Sequence, residues 1–374
     1  GKDAANQLTR SSVEQILKPA AHAIVDRYTN INDADDVQKV LGDLVIAGAV
    51  VWAFSRRAAE RRDTVVPRDR PIPDLSAQER ESLRATANVD INALQLDRLP
   101  AESTERAQQR LRGLPINPAY DLEFEKPGRS GPYADWQDFA RRGIESRSVA
   151  VRHYTVAGHP GTFITVEEDY AKQLDEVRQL RIAAEKQGGT RQEIKAQQEA
   201  EAKLKEHPLR GALLPEDVVQ QLDQLPNRSL VKHVIIQGRP NPQDAWHSQD
   251  YQPGFASEAT ADGNGVITFY GAQGASLSRN MRHEWAHLLE GGCKSRASFD
   301  AAASVERDGF YQGSYPRRND RENWAVHFEE LTDHDADRFL LFCKEAPVRS
   351  LVMAMGLRET LDAVPADQRS PHHK

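Results

Sequence analysis

The sequence has few cysteines, no long apolar run and no excess of positive charge. Its two cysteines, Cys293 and Cys343, are too few for a disulfide framework or for a zinc site built from cysteine, although one bridge between them is compatible with the sequence. The longest apolar stretch, Leu44 to Phe54, is shorter than the roughly 20 residues that cross a bilayer, so it predicts a buried helix rather than a transmembrane segment. The net charge of −7 argues against a nucleic-acid-binding protein.

The helix and strand signals along the sequence divide the chain into three expected regions. Residues 1–115 have mostly helical spacing and predict an accessory region, whose last helix is expected over residues 101–114. Residues 116–208 predict a hairpin followed by a charged helical hairpin. Residues 209–374 alternate strand and helix signals and predict the functional domain.

Individual elements follow from local patterns in the second and third regions. The Pro- and Gly-rich start, including residues 115–120, predicts loops. Alternating β-branched and aromatic residues predict a β-hairpin over Val149–Val166, and the helix-forming charges of Glu167–His207 predict two helices broken by glycines. Buried strands are predicted over Val231–Gln237 and Val266–Gly271, the latter after the turn sequence ADGNG.

The segment NMRHEWAHLLEGG carries the main chemical signal. His283, Glu284 and His287 stand in the order H-E-x-x-H. On a helix, the two histidines are one turn apart on one face, so both imidazoles can reach one zinc ion at about 2.0–2.1 Å. Glu284 can then take a proton from the zinc-bound water and return it to a leaving amine. The pattern therefore predicts a zinc site that needs a third ligand.

A third ligand is expected from a helix that begins near Asp320. Its apolar stripe is predicted at Trp324, Phe328 and Leu331, and helical spacing favours Glu322 or Glu329 on the adjoining face without choosing between them. The full set of candidate donors in this segment is Glu322, His327, Glu329, Glu330 and His334.

These two segments resemble the zinc peptidases related to anthrax lethal factor and the clostridial Pro-Pro endopeptidases. In that group a tyrosine follows H-E-x-x-H, and seven residues later a glutamate completes the zinc site within a pattern like E-x-x-A-x-x-F. Here Tyr315 precedes Glu322 by seven residues, and Ala325 and Phe328 complete the pattern. Tyr311 is the alternative tyrosine. The resemblance covers roughly residues 231–331.

The resemblance implies a gluzincin with an α+β fold, in which a small mixed sheet and active-site helices form a zincin-like catalytic domain after the helical N-terminal region. It implies one Zn²⁺ per chain, bound by His283, His287 and Glu322. Glu284 would be the general base, and Tyr315 would donate to the oxyanion of the tetrahedral intermediate.

The function implied is a zinc-dependent endopeptidase that hydrolyses a protein or peptide substrate. The substrate is expected to lie along Val266–Tyr270, taken as the edge strand. The N-terminal helical region is a candidate for docking a partner, and the toxin-like relatives imply a soluble protein that is secreted or delivered into a host cell. The alternative is a non-catalytic zincin-like module, or a toxin or effector domain, that acts by binding a partner.

Three other histidines receive separate predictions. His233 lies within a predicted buried strand and is expected to be structural. His247 lies in a loop and is a candidate for facing a substrate cleft. His327 adjoins the apolar stripe of the downstream helix and is a candidate partner of a metal ligand.

Overall fold

The computed structural model describes residues 101–115, 117–128, 133–246, 256–271, 273, 276–290, 293, 296, 299, 320–332, 346, 349–350, 352–353 and 356–357. The helices predicted in residues 1–100 lie outside this range. So do Tyr311, Tyr315, His247, His334 and Cys343.

Seven strands of the described residues form one mixed sheet. They are β1 (Leu111–Gly113), β2 (Asn117–Glu125), β3 (Ile144–Val156), β4 (His159–Glu167), β5 (His233–Gln237), β6 (Ala259–Ala261) and β7 (Val266–Tyr270). The order in the sheet is β1-β3-β4-β5-β7-β6, and β2 pairs with β3 beside β1. The β4–β5 and β5–β7 pairs are parallel and the others are antiparallel. The chain therefore has the mixed sheet and the combination of helices and strands that the sequence predicts.

Helices flank these strands along the chain, and several begin at a side-chain cap. Ser103 accepts a hydrogen bond from the backbone of the helix Thr104–Arg110, and Thr190 and Glu193 form a reciprocal capping box at the start of the helix Arg191–Glu206. No helix of the described residues is long and apolar enough to cross a bilayer. The helices are α1 (Thr104–Arg110), α2 (Trp136–Gly143), α3 (Glu168–Glu185), α4 (Arg191–Glu206), α5 (Pro215–Gln224), α6 (Leu277–Glu290) and α7 (Asp320–Leu331).

Most of the predicted elements between Val149 and Gly271 are confirmed. β3 and β4 form the hairpin, α3 and α4 form the charged helical hairpin, and β5 and β7 lie within the two predicted strands. The hairpin turn contains Gly158 at φ +86°, a left-handed conformation that glycine adopts without strain.

Two predictions near the start of the described chain are wrong. The helix expected over residues 101–114 ends at Arg110, and the loop expected over residues 115–120 is largely the start of β2. The reason is tertiary: β3 has 13 residues, and both β1 and β2 pair with it. Cross-strand pairing stabilises these polar segments despite their weak intrinsic strand propensity.

The edge strand is also different from the one predicted. β7 lies between β5 and β6, so Val266–Tyr270 is an internal strand. The strand at that end of the sheet is β6, which pairs antiparallel with β7 through the turn that the sequence predicts. In this turn Asp262 accepts hydrogen bonds from the backbone amides of Asn264 and Val266.

One face of the sheet forms the core of this part of the chain. The inward-pointing side chains of β4, β5 and β7 are fully buried, and α3 and α5 contact the β3–β4 region. Burial of an aliphatic side chain contributes about 1.5–3 kcal/mol, so this layer supplies much of the stability. The buried side chains on these three strands are Ile164, Val166, Val234, Ile236, Ile267 and Phe269.

Residue contacts group the described chain into two compact units. The first runs to Leu288 and contains the whole sheet; the second begins at Leu289 and contains α7. The sheet passes through the boundary expected after residue 208, because β4 and β5 are hydrogen-bonded neighbours.

Candidate metal centre

The H-E-x-x-H sequence lies entirely within α6. His283 and His287 are separated by one helical turn, with ring centroids 4.9 Å apart and ring planes at 80°. His283 and Glu284 are 6% and 7% exposed. The helix thus presents two imidazoles side by side and places a carboxylate next to the first of them, as the spacing predicts.

Trp285 fixes the orientation of α6. Its side chain is fully buried, and its indole Nε1 donates a hydrogen bond to the backbone oxygen of Asn227 at 2.8 Å. Trp285 is two residues from each histidine, so helical geometry directs the indole away from the face that carries His283 and His287. Burial of the indole therefore places the two imidazoles on the opposite side of the helix, where His283 is buried and His287 is partly exposed.

A third donor comes from α7. One ligand atom each of His283, His287 and Glu322 lies within 4.8 Å of the other two. Of the two carboxylates that helical spacing favours, Glu322 belongs to this group. Glu329 is buried at 3% exposure, and among the described residues it is not part of the group.

The N-terminal turn of α7 is held by an ion pair next to Glu322. Arg321 donates from Nε to Glu290 Oε2 at 3.0 Å, and Glu290 also accepts from Arg296 at 2.9 Å. Glu290 is the last residue of α6 and follows His287 by three positions. This pairing fixes the backbone beside Glu322, and the buried stripe of Trp324, Phe328 and Leu331 anchors the rest of the helix.

The three donors fit zinc by their chemistry and spread. Two imidazole nitrogens and one carboxylate oxygen are ligand types that catalytic zinc takes, with a fourth position left for water or substrate. Bonds of about 2.0–2.1 Å in a tetrahedral site put donor atoms roughly 3.4 Å apart. The three donor atoms lie within 4.8 Å of one another, a spread close to the one that such a site requires.

His327 has partners of its own. Its Nδ1 lies 2.6 Å from the backbone oxygen of Asn323, and its Nε2 lies 2.8 Å from Arg349 Nη1. Because a carbonyl only accepts and a guanidinium only donates, Nδ1 carries the proton and Nε2 accepts. His327 therefore connects α7 to the segment that carries Arg349, and its contact with a metal ligand stays a prediction.

A second pair of histidines lies on the outer face of the sheet. Thr165 Oγ1 lies 2.7 Å from His153 Nδ1 and 2.5 Å from His233 Nε2, and the hydroxyl of Tyr120 lies 3.3 Å from His233 Nδ1. Burial lowers the pKa of His233 to about 4, with a smaller contribution from His153. Burial also lowers the pKa of His153. Both rings are therefore neutral at pH 7, consistent with the structural role expected of His233.

Sequence reasoning missed the edge strand β6 and the side chains that connect it to α6. Gln273 and Asn280 join Glu258, just before β6, to the helix. The turn sequence ADGNG before a strand was the available signal, because such a turn predicts a partner strand on its other side. The pairing of Gln273 has no signature in the sequence.

Comparison with known proteins identifies no family for this chain. No protein-family model matches the chain, and no curated protein matches it.

Proposed function

We propose that this chain is a zinc-dependent endopeptidase with a zincin-like catalytic domain, of the gluzincin type found in the lethal factor and Pro-Pro endopeptidase group. The observation that carries the proposal is the convergence of His283, His287 and Glu322 to within 4.8 Å, with Glu284 beside the first histidine. The resemblance of the Tyr315–Phe328 segment to that group supports it.

The three donors would hold one Zn²⁺ per chain. Zinc, when bound, supplies a Lewis acid that acidifies water and polarises a carbonyl group. His283 is buried, whereas His287 and Glu322 are partly exposed, so a substrate would approach from the side of the two partly exposed residues.

Glu284 would move the protons of the reaction. Its carboxylate accepts a proton from the attacking water as the water oxygen bonds to the scissile carbonyl carbon. It then passes that proton to the nitrogen of the leaving amine as the carbon–nitrogen bond breaks. By the resemblance, the hydroxyl of Tyr315 donates to the oxyanion, an interaction worth a few kcal/mol in the transition state.

Strand β6 would bind the substrate backbone. It is the terminal strand of the sheet among the described residues, and its side chains, from Ala259, Thr260 and Ala261, are small. An extended peptide can add to such an edge by main-chain hydrogen bonds, which fits a protein or peptide substrate. The helical N-terminal region remains a candidate for docking a partner.

Metal analysis of the purified chain tests the site. We expect one zinc per chain in the wild type and in Glu329→Gln, and loss of zinc in Glu322→Gln, because a neutral amide oxygen is a poor zinc ligand. The two variants make the same chemical change on the same helix. Zinc retained in Glu322→Gln, or absent from the wild type, would refute the ligand set.

Cleavage of a peptide library tests the activity. We expect Glu284→Gln to bind zinc normally and to lose cleavage by about 10²–10⁴-fold, the usual contribution of a general acid–base group. Unchanged cleavage in this variant would disprove the role of Glu284. A wild type that binds zinc and a partner but cleaves no peptide would instead favour the non-catalytic binding module.

A further inference from the structure

Gln273 is a buried residue between β7 and α6, and its side chain connects the edge strand β6 to β7 and to α6. Its Nε2 donates to the backbone oxygen of Glu258 at 2.8 Å and to that of Tyr270 at 3.1 Å. Glu258 immediately precedes β6, and Tyr270 is the last residue of β7. One amide group therefore bonds to both strands at the end of their ladder.

Asn280 connects the same junction to the helix. Its Nδ2 donates to Gln273 Oε1 at 2.9 Å and to Glu258 Oε2 at 2.6 Å. Asn280 precedes His283 by three residues and Glu284 by four, so these side chains share one face of α6. The side of the helix that carries the proposed active site thus faces the start of the edge strand.

These hydrogen bonds fix the position of β6 along its own axis, relative to the face of α6 that carries His283 and Glu284. Sliding β6 by one residue would move Glu258 by about 3.3 Å and break both side-chain hydrogen bonds to Glu258, the one from Gln273 to its backbone oxygen and the one from Asn280 to its carboxylate. The strand is anchored independently at Ser257, whose backbone and hydroxyl both donate to Asp244. Removal of the Gln273 contacts therefore loosens the register without detaching the strand.

We infer that Gln273 and Asn280 are positioning residues that set the register of β6 against His283 and Glu284. A peptide paired to β6 inherits this register, which decides which of its carbonyl groups reaches the metal. The inference rests on the proposed function, and it assigns to these two side chains the choice of cleavage position along a bound peptide.

Hydrogen exchange tests the contacts without any need for activity. Gln273→Met keeps the volume of the side chain and removes its donors and acceptor. We expect faster amide exchange in 259–261 by about tenfold, because net hydrogen-bond contributions are about 1 kcal/mol each. Gln197→Met is the matched control, since Gln197 bonds only to Glu201 of α4 among the contacts described. Equal exchange in the two variants would overturn the inference.

Peptide cleavage tests the consequence. In Gln273→Met and Asn280→Leu we expect unchanged zinc content, a KM about tenfold higher, kcat within about threefold of the wild type, and additional cleavage positions one or two residues from the main one. Loss of kcat at constant KM, or a single unchanged cleavage position, would contradict a positioning role. If the wild type cleaves nothing, the proposed function fails and the positioning role with it. The exchange experiment still decides whether the contacts hold the strand.

Discussion

The described part of the chain contains two pairs of neighbouring histidines, and the pairs differ in their chemical surroundings. In the sheet pair, His153 and His233 lie on either side of the hydroxyl of Thr165, with ring centroids 6.5 Å apart. In the helix pair, His283 and His287 are 4.9 Å apart, and the group that joins them is the carboxylate of Glu322.

The type of the third group separates the two pairs. A hydroxyl both donates and accepts, so it can satisfy two neutral imidazoles and leave no position for a metal between them. A carboxylate only accepts and carries a negative charge, so with two imidazoles it completes a zinc donor set. Proximity of two histidines is therefore weak evidence for a metal site until the third partner is known.

The largest effect expected from this comparison is on zinc affinity. His287→Ala removes one of the proposed ligands and should weaken zinc binding by far more than the roughly 100-fold that loss of a ligand's outer partner costs. His233→Gln and His153→Gln should leave it within about twofold of the wild type, a small change beside that 100-fold scale. Competition with a chelator measures all three. A large loss of zinc affinity in either sheet variant would show that the two histidine pairs do not differ in metal binding.

The next largest effect is on stability in acid. The pKa of His233 is lowered to about 4 in the folded chain, against about 6.5 when unfolded. Between these values the unfolded chain binds more protons, so stability is fully present above pH 6.5 and falls as the pH drops towards 4. The free energy of unfolding falls by up to roughly 3 kcal/mol over this range. Around His233 lie Tyr120, His153 and Asp262, of which Asp262 alone opposes the shift.

Urea unfolding at several pH values, with zinc removed by chelator, measures this loss. His233→Gln cannot titrate, so its stability should fall less steeply between pH 6.5 and 4 than that of the wild type. Parallel curves for the two proteins would mean that the pKa of His233 is the same in the folded and unfolded chain, so that its surroundings in the sheet do not lower it.

A smaller effect is expected at the hydroxyl that joins the sheet pair. Thr165→Val keeps the shape and leaves two half-buried imidazole nitrogens without their shared partner, at a cost of about 2 kcal/mol. Thr165→Ser keeps the hydroxyl, loses one methyl group and should cost less, about 1 kcal/mol. Chemical unfolding ranks the two variants. A more stable valine variant would show that the hydroxyl is dispensable.

The two pairs also differ in how far the sequence predicts them. His283, Glu284 and His287 interact within one helical turn, so their spacing in the chain is their spacing in space. The sheet network joins Tyr120, Thr165 and His233 from three strands, and only the strand pairing brings them together. From the sequence, His233 was recognisable as structural, but its partners were not.

The same contrast applies to the rest of the site. Glu322 followed from helical spacing only as one of two candidates, and the resemblance to a known group favoured it. Strands β1, β2 and β6 have three, nine and three residues, and pairing with β3 or β7 defines them. Local patterns predict elements whose stability is local; short strands depend on partners that are distant in sequence.

The smallest predicted effect concerns Glu322, the carboxylate that lies close to the two histidines of the helix pair. The ion pair between Arg321 and Glu290 fixes the backbone beside Glu322, yet Arg321 is 63% exposed. An exposed ion pair contributes about 0.2–1 kcal/mol, so Arg321→Gln should barely change the unfolding midpoint. Zinc affinity should fall by up to about fivefold, which corresponds to about 1 kcal/mol, because the proposed carboxylate ligand is less well held. Arg106→Gln, at another exposed arginine paired with a glutamate, is the matched control and should change neither quantity. Equal zinc affinity in the two variants would mean that the buried stripe of α7 alone positions Glu322.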